Sequence, residues 1–137
     1  MQTKKKILIA DDSKTALFME QMILQKGPYL VITAANGEEA VLKARADRPD
    51  LILMDVVMPK KTGFEACREL KADPEMRHIP IILATTRGEQ EHVETGWAAG
   101  CNDYVTKPVN GPELLEKVRD LLGIPEGLSF ESDGAPV

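Results

Sequence analysis

The stretch Leu51-Ile52-Leu53-Met54-Asp55-Val56-Val57-Met58-Pro59 runs through four apolar residues and stops on a carboxylate. An unbroken apolar run reads as a strand buried on both faces, which puts Asp55 at the strand's carboxyl end. In open parallel sheets that edge collects ligands and chemistry, because the strand fixes the backbone while the following loop shapes a site. A lone Asp there is usually just a solvated turn residue. Three other runs, however, also end on reactive side chains. Lys6-Ile7-Leu8-Ile9-Ala10 stops at Asp11-Asp12, Pro80-Ile81-Ile82-Leu83-Ala84 at Thr85-Thr86, and Asp103-Tyr104-Val105-Thr106 at Lys107-Pro108.

Three carboxylates gathered on one edge repel one another and raise each other's pKa unless a hard cation lies between them. Mg²⁺ suits such a set, since it favours one or two carboxylates plus phosphate oxygens and water. Lys107 brings a compact positive charge fit for a phosphoryl oxygen, and Thr85 a hydroxyl that can donate to another. The candidate nucleophile is Asp55, because a carboxylate can take a phosphoryl group as an acyl phosphate. The metal and Lys107 would stabilise charge on the equatorial oxygens of the transferring group.

The elements that must position these residues can be read in order. After the first strand, Ser13 caps a helix carrying Ala16, Leu17, Met19, Met22, Ile23 and Leu24, its methionines reading as core filler. Gly27-Pro28 stops it, the glycine being free to turn left-handed. Leu30-Val31-Ile32-Thr33 is the second strand. Asn36-Gly37-Glu38-Glu39 opens a second helix with a capping box, and Pro49-Asp50 closes it. A third helix runs from Gly63 to about Lys71 with Phe64, Cys67 and Leu70 inward, ended by Asp73-Pro74. The fourth helix is predicted roughly over Glu89 to Ala99, with Gly100 as its cap. Asn110-Gly111-Pro112-Glu113 starts the last, whose Leu114, Leu115, Val118, Leu121 and Leu122 form a helical stripe. Five strands alternating with five helices predict an α/β fold, a doubly wound parallel sheet covered on both faces.

At 137 residues the chain is one domain, large enough to fold without disulfide or metal staples. Residues 1–122 form the domain, and the Gly-, Ser-, Pro- and acid-rich residues 123–137 predict a disordered tail. A formal charge of −5 excludes a nucleic-acid surface, which needs clustered Lys and Arg. No stretch is long and apolar enough for a membrane span. Cys67 and Cys101 show neither metal spacing nor a CxxC pair, as expected of reduced thiols in a cytoplasmic protein.

Taken together, Asp11-Asp12-Ser13, Met54-Asp55-Val56-Val57-Met58-Pro59 with Gly63, Thr85, and Tyr104-Val105-Thr106-Lys107-Pro108 resemble the receiver domain of bacterial two-component response regulators, over residues 5 to about 122. The resemblance implies a flavodoxin-like sheet of order 2-1-3-4-5. It also implies that a histidine kinase phosphorylates Asp55, and that Asp12, Asp55 and the backbone carbonyl of Val57 bind Mg²⁺ with Asp11 acting partly through water. Lys107 would pair with the phosphoryl group, while Thr85 and Tyr104 form a switch read by an effector on the face of the fourth helix, fifth strand and fifth helix. A cis Lys107-Pro108 bond is implied as well. The motifs look most like stand-alone receivers of chemotaxis-like systems, including those of twitching or gliding motility, working as monomers or weak dimers. Such a chain is no enzyme beyond its own phosphorylation and dephosphorylation. The pattern departs at Lys60-Lys61, where the family's loop is often small or acidic.

Three other readings compete. A flavin mononucleotide binder needs a phosphate-cradling loop after the first strand, and Asp11-Asp12 would repel that phosphate. A phosphate sink for a kinase would have the same residues as a signalling receiver. An interaction module without phosphate chemistry would have no need of Asp12, Asp55, Thr85 and Lys107. Trp97 is open to two readings, as a core residue or as an aromatic anchor on the docking surface.

Overall fold

The computed structural model describes residues 4–86 and 93–123. Ten elements alternate along them: β1 (Lys5–Ala10), α1 (Lys14–Leu24), β2 (Tyr29–Ala34), α2 (Gly37–Asp47), β3 (Leu51–Asp55), α3 (Gly63–Ala72), β4 (Ile81–Thr86), α4 (Val93–Ala99), β5 (Asp103–Lys107) and α5 (Gly111–Leu122). The strands pair in parallel in the order β2-β1-β3-β4-β5. This is the doubly wound, flavodoxin-like sheet expected from the sequence. Residues 87–92, which hold the start of the expected fourth helix, and the tail from 124 onward lie outside the described residues.

The pleat divides the core. Ile7, Ile9, Leu51, Leu53, Ile82 and Val105 face one side, where they meet Leu24 of α1 and Leu114 and Val118 of α5. Leu8, Ile52, Met54, Ile81 and Leu83 face the other, against Ala40 and Val41 of α2 and Ala66 and Leu70 of α3. Alternate residues of every central strand are thus buried by opposite helix layers, which is why those strands are apolar without interruption.

Helix ends follow local chemistry. Ser13 Oγ accepts from the Ala16 N–H, Asn36 Oδ1 from Glu39, and Asn110 Oδ1 from Glu113. In α2 the reciprocal bond goes to the N–H of Ala35, one residue before the cap, while α3 has a full capping box between Thr62 and Glu65. Three expectations need correction. Gly27 does not turn left-handed: α1 ends at Leu24 with Gln25 still right-handed, and Gly27 instead makes room for the Tyr29 ring, which a Cβ would approach to 2.6 Å. It is Arg48, at φ 48°, that closes α2. Nor are Met19 and Met22 core filler. They are 49% and 52% exposed beside Phe18 at 62%, because α1 turns Leu17, Glu20 and Leu24 inward.

Candidate functional site

Four strand ends supply the candidate residues, and the register sets their depth. Ala10 lies opposite Met54, so Asp11 and Asp55 end level on neighbouring strands. Asp11 continues β1 by donating its N–H to the Ala34 carbonyl at 3.1 Å. Its carboxylate is fixed at both oxygens: Oδ1 accepts the Ser13 N–H at 2.9 Å and Oδ2 accepts Lys107 Nζ at 2.8 Å. Asp55 is held from behind, because Val56 pairs with Ala84 and receives the Gly63 N–H on its carbonyl. Gly63 is required there. A Cβ would stand 2.3 Å from the Asp55 carbonyl oxygen, so another residue would push α3 off the strand end.

Lys107 ends β5, two strands from β3 and three from β1, yet its Nζ lies 3.3 Å from Asp55 Oδ2 as well as 2.8 Å from Asp11. A flexible four-carbon stem makes that reach across the end of β4 possible. The Lys107-Pro108 peptide is cis, as expected. Burial works against the Lys107 charge, but its bond to Asp11 and the field of Asp55 outweigh it, so the ammonium stays above its usual range.

The acidic residues carry more negative charge than Lys107 offsets. Oxygens of Asp11, Asp12 and Asp55 lie within 4.8 Å of one another, Asp11 and Asp55 buried and Asp12 exposed. Burial, then the Asp11 charge, pushes Asp55 up to about 6, against relief from Lys107 and from the Val57 N–H. A close set of hard oxygen donors, open to solvent through Asp12, with a carboxyl held above its ordinary value by burial and then by like charge, fits a small divalent cation such as Mg²⁺. Val57 follows the site on a half-exposed turn.

Thr85 is buried at the end of β4, opposite Thr106 of β5. Tyr104 is farther away. It lies opposite Leu83, and its hydroxyl donates to the Val93 carbonyl at 2.9 Å, in a hole left by Gly96, where a Cβ would come within 1.6 Å of the hydroxyl oxygen. Trp97 is half exposed and meets the Tyr104 ring edge-on, with centroids 5.6 Å apart. It is therefore both a packing partner of Tyr104 and part of the surface. Lys61 is drawn from the site into an ion pair with Glu69, and Lys60 takes a left-handed turn at φ 70°. Cys67 and Cys101 are buried free thiols, pushed up to about 12 and about 11 chiefly by burial.

Sequence reasoning missed one group. Glu20, on the inner face of α1, is 3% exposed and pushed up to about 8 by burial first and by Asp11 next, against the Lys107 charge. The signal was available, since an acid three residues after Leu17 and four before Leu24 falls in the apolar stripe of the helix.

Among the described residues no helix is long and apolar enough to cross a membrane. The model of the response regulator receiver domain matches residues 7–119. The protein PilH of Pseudomonas aeruginosa is 40% identical over 117 residues, spanning 85% of this chain and 97% of that one. The chemotaxis response regulator CheY4 of Vibrio cholerae superposes with a TM-score of 0.80 at 36% identity, covering 87% of this chain and 99% of that one. The receiver domain of the sensor histidine kinase PA1611 from Pseudomonas aeruginosa, solved with a magnesium ion coordinated in its active-site cleft, gives 0.82 at 33% identity over 88% and 99% of the two chains. The two carboxylates at the end of β1, Asp55 at the end of β3 and Lys107 reaching over from β5 are thus set in a chain that belongs to the response regulator receiver domain family.

Proposed function

We propose that Asp55 takes a phosphoryl group from a histidine kinase and that residues 1–122 transmit the change by altering which protein they bind. The observation that carries this reading is the triangle of Asp11, Asp55 and Lys107, with Nζ 2.8 and 3.3 Å from the two carboxylates. A carboxylate oxygen of Asp55 attacks phosphorus, the P–N bond to the kinase histidine breaks, and the ring nitrogen keeps the electron pair. Lys107 leaves its carboxylate partners for a phosphoryl oxygen, and the Thr85 hydroxyl donates to another. Asp11, Asp12, Asp55 and the Val57 carbonyl would hold Mg²⁺, which neutralises charge on the transferring group. The PilH and CheY4 relatives support a stand-alone signalling role in a chemotaxis- or motility-like pathway. The output surface would be α4, β5 and α5, reached through Thr85 and Tyr104, and the setting the cytoplasm.

Phosphotransfer from acetyl phosphate in the presence of Mg²⁺ tests this reading. Asp12→Ala should stay folded and lose phosphorylation, because it removes a metal ligand while relieving repulsion in the empty site. Undiminished Mg²⁺-dependent phosphorylation of that variant would contradict the metal assignment.

A further inference from the structure

Glu20 is an acid in a place suited to an apolar side chain. It lies between Leu17 and Leu24 on the inward stripe of α1 and is 3% exposed. Its Oε1 is shut off from solvent with no hydrogen-bond partner among the described residues. Leaving a buried polar atom unpaired destabilises the fold, and a leucine or methionine would avoid that cost. A local rule broken in this way is most economically explained by a partner that arrives in another state of the site.

The space for that partner is present. A cavity of about 380 Å³ opens between α1 and the turn after β5, with Met19, Glu20 and Ile23 on one wall and Lys107, Pro108 and Val109 on the other. Lys107 therefore borders two acidic environments: the Asp11–Asp55 pair that now holds its ammonium, and the cavity with Glu20. Burial first, then Asp11 and Asp55, oppose the ionised form of Glu20, whereas Lys107 favours it.

The geometry points to Glu20 as a positioning residue, the second seat of the Lys107 ammonium, taken when a divalent cation claims Asp11 and Asp55. This rests on the metal reading given above. Both carboxylates that hold Lys107 belong to the acidic trio, so a cation bound there leaves the ammonium facing like charge with its partners committed. The cavity lets it withdraw to a buried carboxyl instead, which gives up its proton to solvent as the ammonium arrives, since the Lys107 charge favours the ionised form. Phosphoryl oxygens on Asp55 then compete with Glu20 for the same ammonium.

Isothermal titration of Mg²⁺ into the full chain tests this directly, with wild type, Glu20→Gln, Glu20→Met, Lys107→Ala and the Glu20→Gln/Lys107→Ala double variant. Both Glu20 variants should weaken Mg²⁺ binding about five- to tenfold, and Glu20→Gln in the Lys107→Ala background by less than about twofold. An equal loss in both backgrounds would mean that Glu20 acts only through its field, and an unchanged affinity in Glu20→Gln would mean that it takes no part; either overturns the seat. Failure of the wild type itself to bind Mg²⁺ would overturn the metal reading and this inference with it, and is distinguishable because it does not depend on Glu20.

Discussion

At the scale of single residues, the site is defined by carboxyls held away from their ordinary titration range, and the sign of each shift gives a test. The folded-state pKa of Glu20 is raised to about 8, so between roughly its unfolded value of 4.5 and 8 the native state holds a proton that the unfolded chain has released. Stability from this group is therefore full below that window and lost as pH rises through it, by up to about 1.4 kcal/mol per pH unit. Denaturant melts from pH 5 to 8 should show the wild type losing stability relative to Glu20→Gln as pH increases; parallel curves would remove Glu20 as the cause. Asp55, raised to about 6, should titrate near there by carbon NMR in metal-free protein and move lower when Mg²⁺ is added, because the cation favours the carboxylate. An Asp55 titration that Mg²⁺ leaves in place would contradict the shared site. Asp11, Asp12, Asp55, Thr85 and Lys107 could be read as candidates from the sequence because each stands at the end of an expected strand, and a parallel sheet brings such ends to one edge. Glu20 was missed, because the methionines of α1 looked more core-like than an acid does, although its spacing from Leu17 and Leu24 marks the inward stripe.

At the scale of elements, α4 and β5 are joined by one aromatic seat. Tyr104 fills the hole at Gly96, bonds the first described turn of α4 at Val93 and meets Trp97 edge-on. Gly96→Ala would normally favour a helix by up to about 1 kcal/mol. Here the added methyl group must displace the tyrosine hydroxyl, so a net loss of about 1–2 kcal/mol is expected, with faster amide exchange in α4. A more stable Gly96→Ala protein would show that the seat does not hold the helix. Thr85→Ala tests the link from the phosphoryl site to this face. Phosphorylation should change the wild type's affinity for its effector about five- to 150-fold, the range of ordinary allosteric couplings, and should change that of Thr85→Ala far less. An equal gain in both proteins would rule out the hydroxyl as the transmitter. Strand boundaries were legible to within two residues, the largest difference being β4, which runs on through Thr85 to Thr86. Helix ends were less so: Gly27 serves the packing of Tyr29 and not a left-handed turn, and Arg48 takes that conformation although nothing in its side chain favours it.

At the scale of the whole molecule, the fold follows from alternation. Five strands, each followed by a helix and the central three strands almost wholly apolar, form a parallel sheet covered on both faces, and such a sheet has one edge where loops carrying acids, hydroxyls and a lysine can meet. The central strands bear both the core and the site, so core damage should be felt as stability first. Leu53→Ala, two residues before the proposed phosphoacceptor and 1% exposed, should lower unfolding free energy by about 2–5 kcal/mol in denaturant melts. A loss near zero would mean that the sheet is not packed on that face. The central claim, that this edge exists to take a phosphoryl group on Asp55, is tested most directly by intact-protein mass spectrometry after incubation with acetyl phosphate and Mg²⁺. The wild type should gain the mass of a single phosphoryl group, mapped to Asp55 by borohydride reduction, and Asp55→Asn should gain none. A wild type that gains nothing, or an Asp55→Asn protein that is labelled to the same extent, would contradict the account.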